Sequence, residues 1–265
     1  MTRTWTSASA DPAVSAIART PHLLIALDFD GTASPLISEP MAARALPAVA
    51  EAIARLSALP DTTVAFVSGR SLGHLREITE HTEHSGIVLA GSHGAEFWFP
   101  GEAAAEAEQV DAERALRDSL LEELSAVVAD YPGVELETKS FGIGIHGRPA
   151  DPDVERAGFA AVDAVFAARA PHWRRRTGDR ILEFASRNEG KDTAITVLRE
   201  RIGATGIVFA GDDVTDEDAM QVLTADDLGV RVGPGESAAT IRVDSPQQIA
   251  ELLAVIASER EAGQQ

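Results

Sequence analysis

"LLIALDFDGTASPL", residues 23–36, decides how the rest of the chain is read. Five apolar residues run without interruption into Asp28, and Phe29, Asp30, Gly31 and Thr32 follow at once. A continuous apolar run of this length suits a strand covered on both faces, as in a parallel sheet flanked by helices. A carboxylate at the end of such a strand is costly unless a cation compensates it. Taken alone, Asp-x-Asp equally fits a helix cap or a turn. Its place at the end of a buried run is what favours ligation of Mg²⁺, a hard cation that takes oxygen.

Three further stretches repeat the design. "VAFV" precedes Ser68-Gly69-Arg70, "IVLA" precedes Gly91-Ser92-His93-Gly94, and "GIVFA" precedes Gly211-Asp212-Asp213. Between the first two strands, residues 41–59 ("MAARALPAVAEAIARLSAL") carry a helical pattern of the size of a crossover. Strand, helix, strand predicts an α/β, doubly wound parallel-sheet (Rossmann-like) core. Ligands of such sheets bind beyond the carboxyl ends of the strands. Asp28, Ser68 and Asp212 are therefore expected to converge on one site. In "GDDVTDED", Asp216, Glu217 and Asp218 also fit an acidic first helical turn favoured by the dipole, whereas Asp212 and Asp213 precede the helix.

The middle of the chain reads differently. Residues 103–130 have helical periodicity, then "VELETK" and "FGIGIHGR" alternate, apolar on one parity and polar or glycine on the other. A second helical pattern leads to "HWRRRT", a Gly178-Asp179 turn and "RILEFA". Helix-strand-strand, twice over, predicts half-exposed antiparallel hairpins. We read an inserted α+β domain at 103–186, with a core of 1–102 and 187–265. Within the insert, Glu137 and Lys139 share one strand face. Gly142, Gly144, His146 and Arg148 lie on the face opposite Phe141, Ile143 and Ile145. The final "SEREAGQQ" reads as a frayed tail.

The 265 residues include 23 basic and 42 acidic ones, a net charge of −19, which argues against a nucleic-acid partner. Cysteine is absent, so disulfides, thiolate metal sites and cysteine nucleophiles are excluded. No apolar run approaches a membrane span, and the first 20 residues lack the apolar centre of a signal peptide. A cytoplasmic protein is expected, with no membrane association and no obligate protein partner. Lys191 after Gly190 is not a phosphate-binding P-loop, because Ala185 and Asp192 stand where glycine and Ser or Thr are needed. "GIGIHG" spells G-x-G-x-x-G but opens no helix. His93 and His146 read as hydrogen-bonding residues, since no other histidine keeps ligand spacing with them.

Together, "DFDGT", "SGR", a later lysine and "GDDVTDE" resemble the haloacid dehalogenase (HAD) superfamily of phosphatases. "LDFDGTASPL", "SGRS", "GSHGAE", "ETK" with "HGR" beyond it, and "GDDVTDEDAM" are similar, more narrowly, to the trehalose-6-phosphate phosphatase family. The resemblance covers about residues 22–235 and implies that 103–186 is a cap domain on a catalytic core of 1–102 and 187–265. It departs from the family pattern at Ala185-Ser186 and at Asp192.

The resemblance implies a phosphoric monoester hydrolase in which Asp28 attacks phosphorus and Asp30 acts as general acid and base. Mg²⁺ is implied at Asp28, the backbone carbonyl of Asp30, and Asp212. Lys191 and Ser68 would hold phosphoryl oxygens, with Asp213 and Asp216 steadying metal and lysine. Arg70, His93, Glu137, Lys139, Arg148 and Glu183 would contact a trehalose 6-phosphate substrate, those of the cap acting on sugar hydroxyls. Two alternatives stay open: a phosphatase for sucrose 6-phosphate or a glycosylglycerate phosphate, and a non-catalytic sugar-phosphate sensor.

Overall fold

In the computed structural model, which describes residues 2–7, 11–102, 111–178 and 180–263, the chain divides into two compact units. One comprises Met1–Glu106 and Glu189–Gln265, the other Ala107–Asn188. The first begins with β1 (Arg3–Thr4), α1 (Pro12–Ala18), β2 (Leu23–Leu27), α2 (Pro47–Ser57), β3 (Thr62–Val67), α3 (Leu72–Ile78), β4 (Val88–Gly91) and β5 (Glu96–Trp98). The second holds α4 (Asp111–Val128), β6 (Glu135–Lys139), β7 (Gly142–His146), α5 (Pro152–Arg169), β8 (Arg174–Gly178) and β9 (Ile181–Ala185). The chain then returns to the first unit with α6 (Lys191–Ile202), β10 (Gly206–Gly211), α7 (Val214–Gln221), β11 (Leu228–Val232), β12 (Ile241–Val243) and α8 (Pro246–Gly263).

The first unit is built on one eight-stranded sheet, ordered β1-β12-β11-β10-β2-β3-β4-β5. Every pairing is parallel except that of β4 with β5. The reason for the uninterrupted apolar runs is visible in β2. Leu23, Ile25 and Leu27 pack into the layer that contains α1, α2, α3 and α8, whereas Leu24 and Ala26 join α6 and α7 on the other face. All five are buried, and each leucine or isoleucine so placed contributes about 1.5–3 kcal/mol. Leu27 stands opposite Phe66 on β3 and Ala210 on β10. That register brings Asp28, Ser68 and Asp212 out along the same edge of the sheet.

Three expectations need correction or a limit. The crossover helix is shorter than residues 41–59: α2 starts at Pro47, whose fixed φ and missing N–H suit a first helical position. The C-terminus is not frayed as far as Gly263, because α8 continues through it and Arg260 is buried. The Arg260 guanidinium donates to the carbonyls of Ala18, Thr20, Pro21 and Asp61. The expected start of α4 at 103, and Asp179 of the expected turn, lie outside the described residues.

The second unit is an antiparallel sheet, ordered β6-β7-β9-β8. Ile143, Ile145, Leu182 and Phe184 pack with Leu120 and Leu124 of α4 and Val162 and Phe166 of α5. Phe166 stacks on Phe184 at 3.7 Å between ring centroids. The opposite face is polar. Among the described residues, no helix is long and apolar enough to cross a membrane.

Candidate active site

At the carboxyl edge of the parallel sheet, Lys191 is the first residue of α6 and is almost fully buried. Its Nζ donates to Asp28 Oδ1 and to Asp216 Oδ1, both at 2.6 Å. Asp216 lies in the first turn of α7, folded back under the loop that leads to it. Its Oδ2 accepts the backbone N–H groups of Asp212 and Asp213 at 2.9 and 3.0 Å. Gly211 permits that fold-back, since a Cβ there would stand 2.1 Å from the Asp216 carboxyl carbon. Asp213 caps α7, accepting from the backbone N–H groups of Thr215 and Asp216 and from the Thr215 hydroxyl.

Asp212 packs against the turn after Asp28. Gly31 there has φ +81°, and a Cβ would fall 2.1 Å from Asp212 Oδ2, so only glycine allows the approach. Among the described residues, Asp28, Asp212 and Asp216 form a group whose carboxylate oxygens lie within 4.8 Å of one another. This donor set is all hard oxygen and fits Mg²⁺ better than a soft metal.

Four carboxyls face one ammonium in this small volume, and their pKa values record the imbalance. Burial pushes the Asp28 carboxyl well up, against the pull of Lys191 and with the help of Asp216 and Asp212. Burial likewise raises Asp216 to about 7, opposed by Lys191, and raises Asp212 to about 6, reinforced by Asp213. Asp213 is also penalised by burial, but Lys191 and its capping hydrogen bonds hold it at about 2. Burial would lower Lys191; Asp216 and Asp28 outweigh it and keep the ammonium well above its ordinary value.

The remaining core residues surround this cluster. Ser68 is buried, and its Oγ accepts from the backbone N–H of Arg70 at 3.2 Å. Arg70, expected against substrate, grips Asp30: Nε and Nη2 donate to the two carboxylate oxygens at 2.6 and 2.7 Å, and Nη2 also donates to the Pro40 carbonyl. The His93 N–H donates to the Ser68 carbonyl, and the His93 ring lies so close to Gly69 that a Cβ there would stand 2.6 Å from it. Ser92 and His93 both adopt positive φ, +48° and +57°, a strained pair that locks this loop to the Ser68–Arg70 loop.

On the inserted unit, the register aligns Glu137, Gly144, Glu183 and Arg176 in one row across the polar face. Lys139 Nζ hydrogen-bonds Glu183 Oε2, and Glu137 Oε2 is 2.9 Å from His146 Nε2. Arg148 lies beyond the end of β7 and is exposed, its carbonyl accepting from Arg180. Sequence reasoning missed the depth of Asp216 and the membership of Arg176. The spacing G-D-x-x-x-D could have signalled the first, because four residues bring the second acid back under the loop.

The sheet order and the acid-lysine cluster define a class: the fold is that of the HAD superfamily. A haloacid dehalogenase-like hydrolase from Bacteroides thetaiotaomicron superposes with a TM-score of 0.63 at 17% identity, covering 89% of this chain and 99% of that one. The C-terminal domain of Candida albicans trehalose-6-phosphate phosphatase gives 0.81 at 19% identity, covering 97% and 99%. The trehalose-phosphatase family model matches residues 26–248, and the chain belongs to that family. It is 34% identical over 263 residues to the trehalose-phosphate phosphatase of Mycolicibacterium paratuberculosis. That match covers 92% of this chain, which spans 64% of the length of the relative.

Proposed function

We propose that this chain is a Mg²⁺-dependent phosphatase that hydrolyses trehalose 6-phosphate to trehalose and inorganic phosphate. The observation that carries the reading is the bridge from Lys191 to Asp28 and Asp216 at the ends of parallel strands, in a chain of the trehalose-phosphatase family. A phosphate approaching Asp28 meets several carboxyls, so it needs cations. Asp28, the Asp30 carbonyl and Asp212 would hold Mg²⁺, which when bound supplies neutralising charge and alignment. Asp216 is near enough to join them and otherwise secures Lys191.

An Asp28 oxygen bonds to phosphorus as the phosphorus–oxygen bond to the sugar breaks, leaving an aspartyl-phosphate. Asp30 gives a proton to the departing sugar oxygen. Asp30 then takes a proton from water, whose oxygen bonds to phosphorus while the bond to Asp28 breaks and phosphate leaves. Lys191 and the Ser68 hydroxyl hold the phosphoryl oxygens. Arg70 fixes the orientation of Asp30, whose oxygens each keep a second lone pair for this exchange. On the inserted unit, Glu137, Lys139, Arg148 and Glu183 take sugar hydroxyls, which can donate to the acids and accept from the cations.

Phosphate release from a panel tests the reading: trehalose 6-phosphate, sucrose 6-phosphate, a glucosylglycerate phosphate and glucose 6-phosphate, each with Mg²⁺ and with EDTA. Mg²⁺-dependent preference for trehalose 6-phosphate is expected. Preference for another member would replace the substrate, and binding without release would replace the enzyme by a sensor.

A further inference from the structure

The row of charged residues across the inserted sheet contains one cation with no role so far. Arg176 belongs to the run Arg174-Arg175-Arg176 on β8, in which Arg174 shares its strand face and Arg175 takes the other. Arg175 pairs with Asp163 of α5 at 2.7 Å, and Arg174 Nη1 donates to the Asn188 carbonyl. Arg176 lies on the polar face, where it stands opposite Glu183. Its side chain is only 9% exposed, and its Nη1 is 3.6 Å from Glu183 Oε1. Lys139 holds the other oxygen, Oε2. Glu183 thus has a cation on each side, contributed by β6 and β8.

A carboxylate with one partner can turn about its last bond, whereas a hydrogen bond to one oxygen and a guanidinium charge drawn to the other restrain its plane. Arg176 also balances charge. Without it, Glu183 would keep Lys139 as its hydrogen-bonded cation, and that same ammonium also faces Glu137. Burying a guanidinium is costly, so its retention here calls for a local use.

We propose that Arg176 is a positioning residue for sugar recognition, setting the plane in which Glu183 meets the hydroxyls of the substrate. The inference rests on the sugar-phosphate reading above. It is tested by comparing kcat/KM for the sugar phosphate that the wild type prefers with kcat/KM for p-nitrophenyl phosphate, which has no sugar. Arg176→Gln is expected to lower that ratio about tenfold or more, chiefly through KM, and Arg176→Lys to recover part of it. In a double-mutant cycle, adding Arg176→Gln to Glu183→Gln should cost little further, because one acts through the other. Arg176→Met, which keeps the aliphatic stem, replaces the glutamine variant if that one does not fold. An unchanged ratio, equal losses on both substrates, or independent losses in the cycle would overturn the proposal. A wild-type preference for a different sugar phosphate would overturn the trehalose reading alone, and the cycle would then be run on that substrate. A wild type without sugar preference would overturn both.

Discussion

The chain has 23 basic residues, and only two of them, Lys139 and Lys191, are lysines. Each is held by carboxylates, yet the surroundings differ in kind. Lys191 is buried among Asp28, Asp212, Asp213 and Asp216, an excess of acid that calls for a further cation. Lys139 lies on a sheet face where two glutamates meet Lys139, Arg176 and His146, so charge is nearly balanced. The first setting suits a metal and a phosphoryl group. The second suits a neutral ligand with many hydroxyls, each able to donate and accept. A compact ammonium serves in both.

The sharpest break of this comparison comes from the core. Asp28→Asn is expected to abolish phosphate release from every substrate, a loss on the order of 10⁴ or more, with the thermal transition retained. Substantial turnover by the purified variant would remove Asp28 as nucleophile. Next in size, EDTA should suppress activity on sugar and aryl phosphates alike, and added Mg²⁺ should restore it. Asp212→Ala should raise the Mg²⁺ requirement about ten- to a hundredfold, read from activity against Mg²⁺ concentration.

Smaller effects sharpen the other side. Glu137→Ala should depress kcat/KM for trehalose 6-phosphate about ten- to a hundredfold, with a lesser effect on an aryl phosphate. Equal effects would make Glu137 structural. The smallest prediction concerns stability. Burial works to raise the Glu137 carboxyl, but the hydrogen bond to His146 and the charge of Lys139 hold it below its ordinary 4.5. The folded state therefore gains stability from Glu137 above that value and loses it as pH falls through the lower folded one. Glu137→Gln should lower Tm by about 1–2 °C at neutral pH, and the difference should vanish in acid.

Much of this was legible in the residues. β2, β3, β4 and β10 announced themselves because burial on both faces demands uninterrupted apolar runs, and the polar residues ending those runs marked the site. The polar face of the inserted sheet followed from strict alternation in "VELETK" and "FGIGIHGR". What escaped depended on distant partners. "SEREAGQQ" looks solvated, and nothing near Arg260 announces the four carbonyls, of Ala18, Thr20, Pro21 and Asp61, that receive it. The pairing of Arg70 with Asp30, forty residues earlier in the chain, has no local signature in the sequence. Arg176 is indistinguishable in sequence from Arg174 and Arg175, because the parity of β8 becomes meaningful only once β9 is paired to it.

Phosphate chemistry and sugar choice are expected to divide between the two lysines, and a paired measurement tests that division directly. Lys191→Ala and Lys139→Ala are assayed side by side for kcat/KM on trehalose 6-phosphate and on p-nitrophenyl phosphate. The prediction is that Lys191→Ala lowers both values by a common large factor. Lys139→Ala should lower the trehalose 6-phosphate value about tenfold or more relative to the aryl phosphate. If both variants lowered both substrates equally, or if Lys139→Ala left the ratio of the two unchanged, the division of labour would be contradicted.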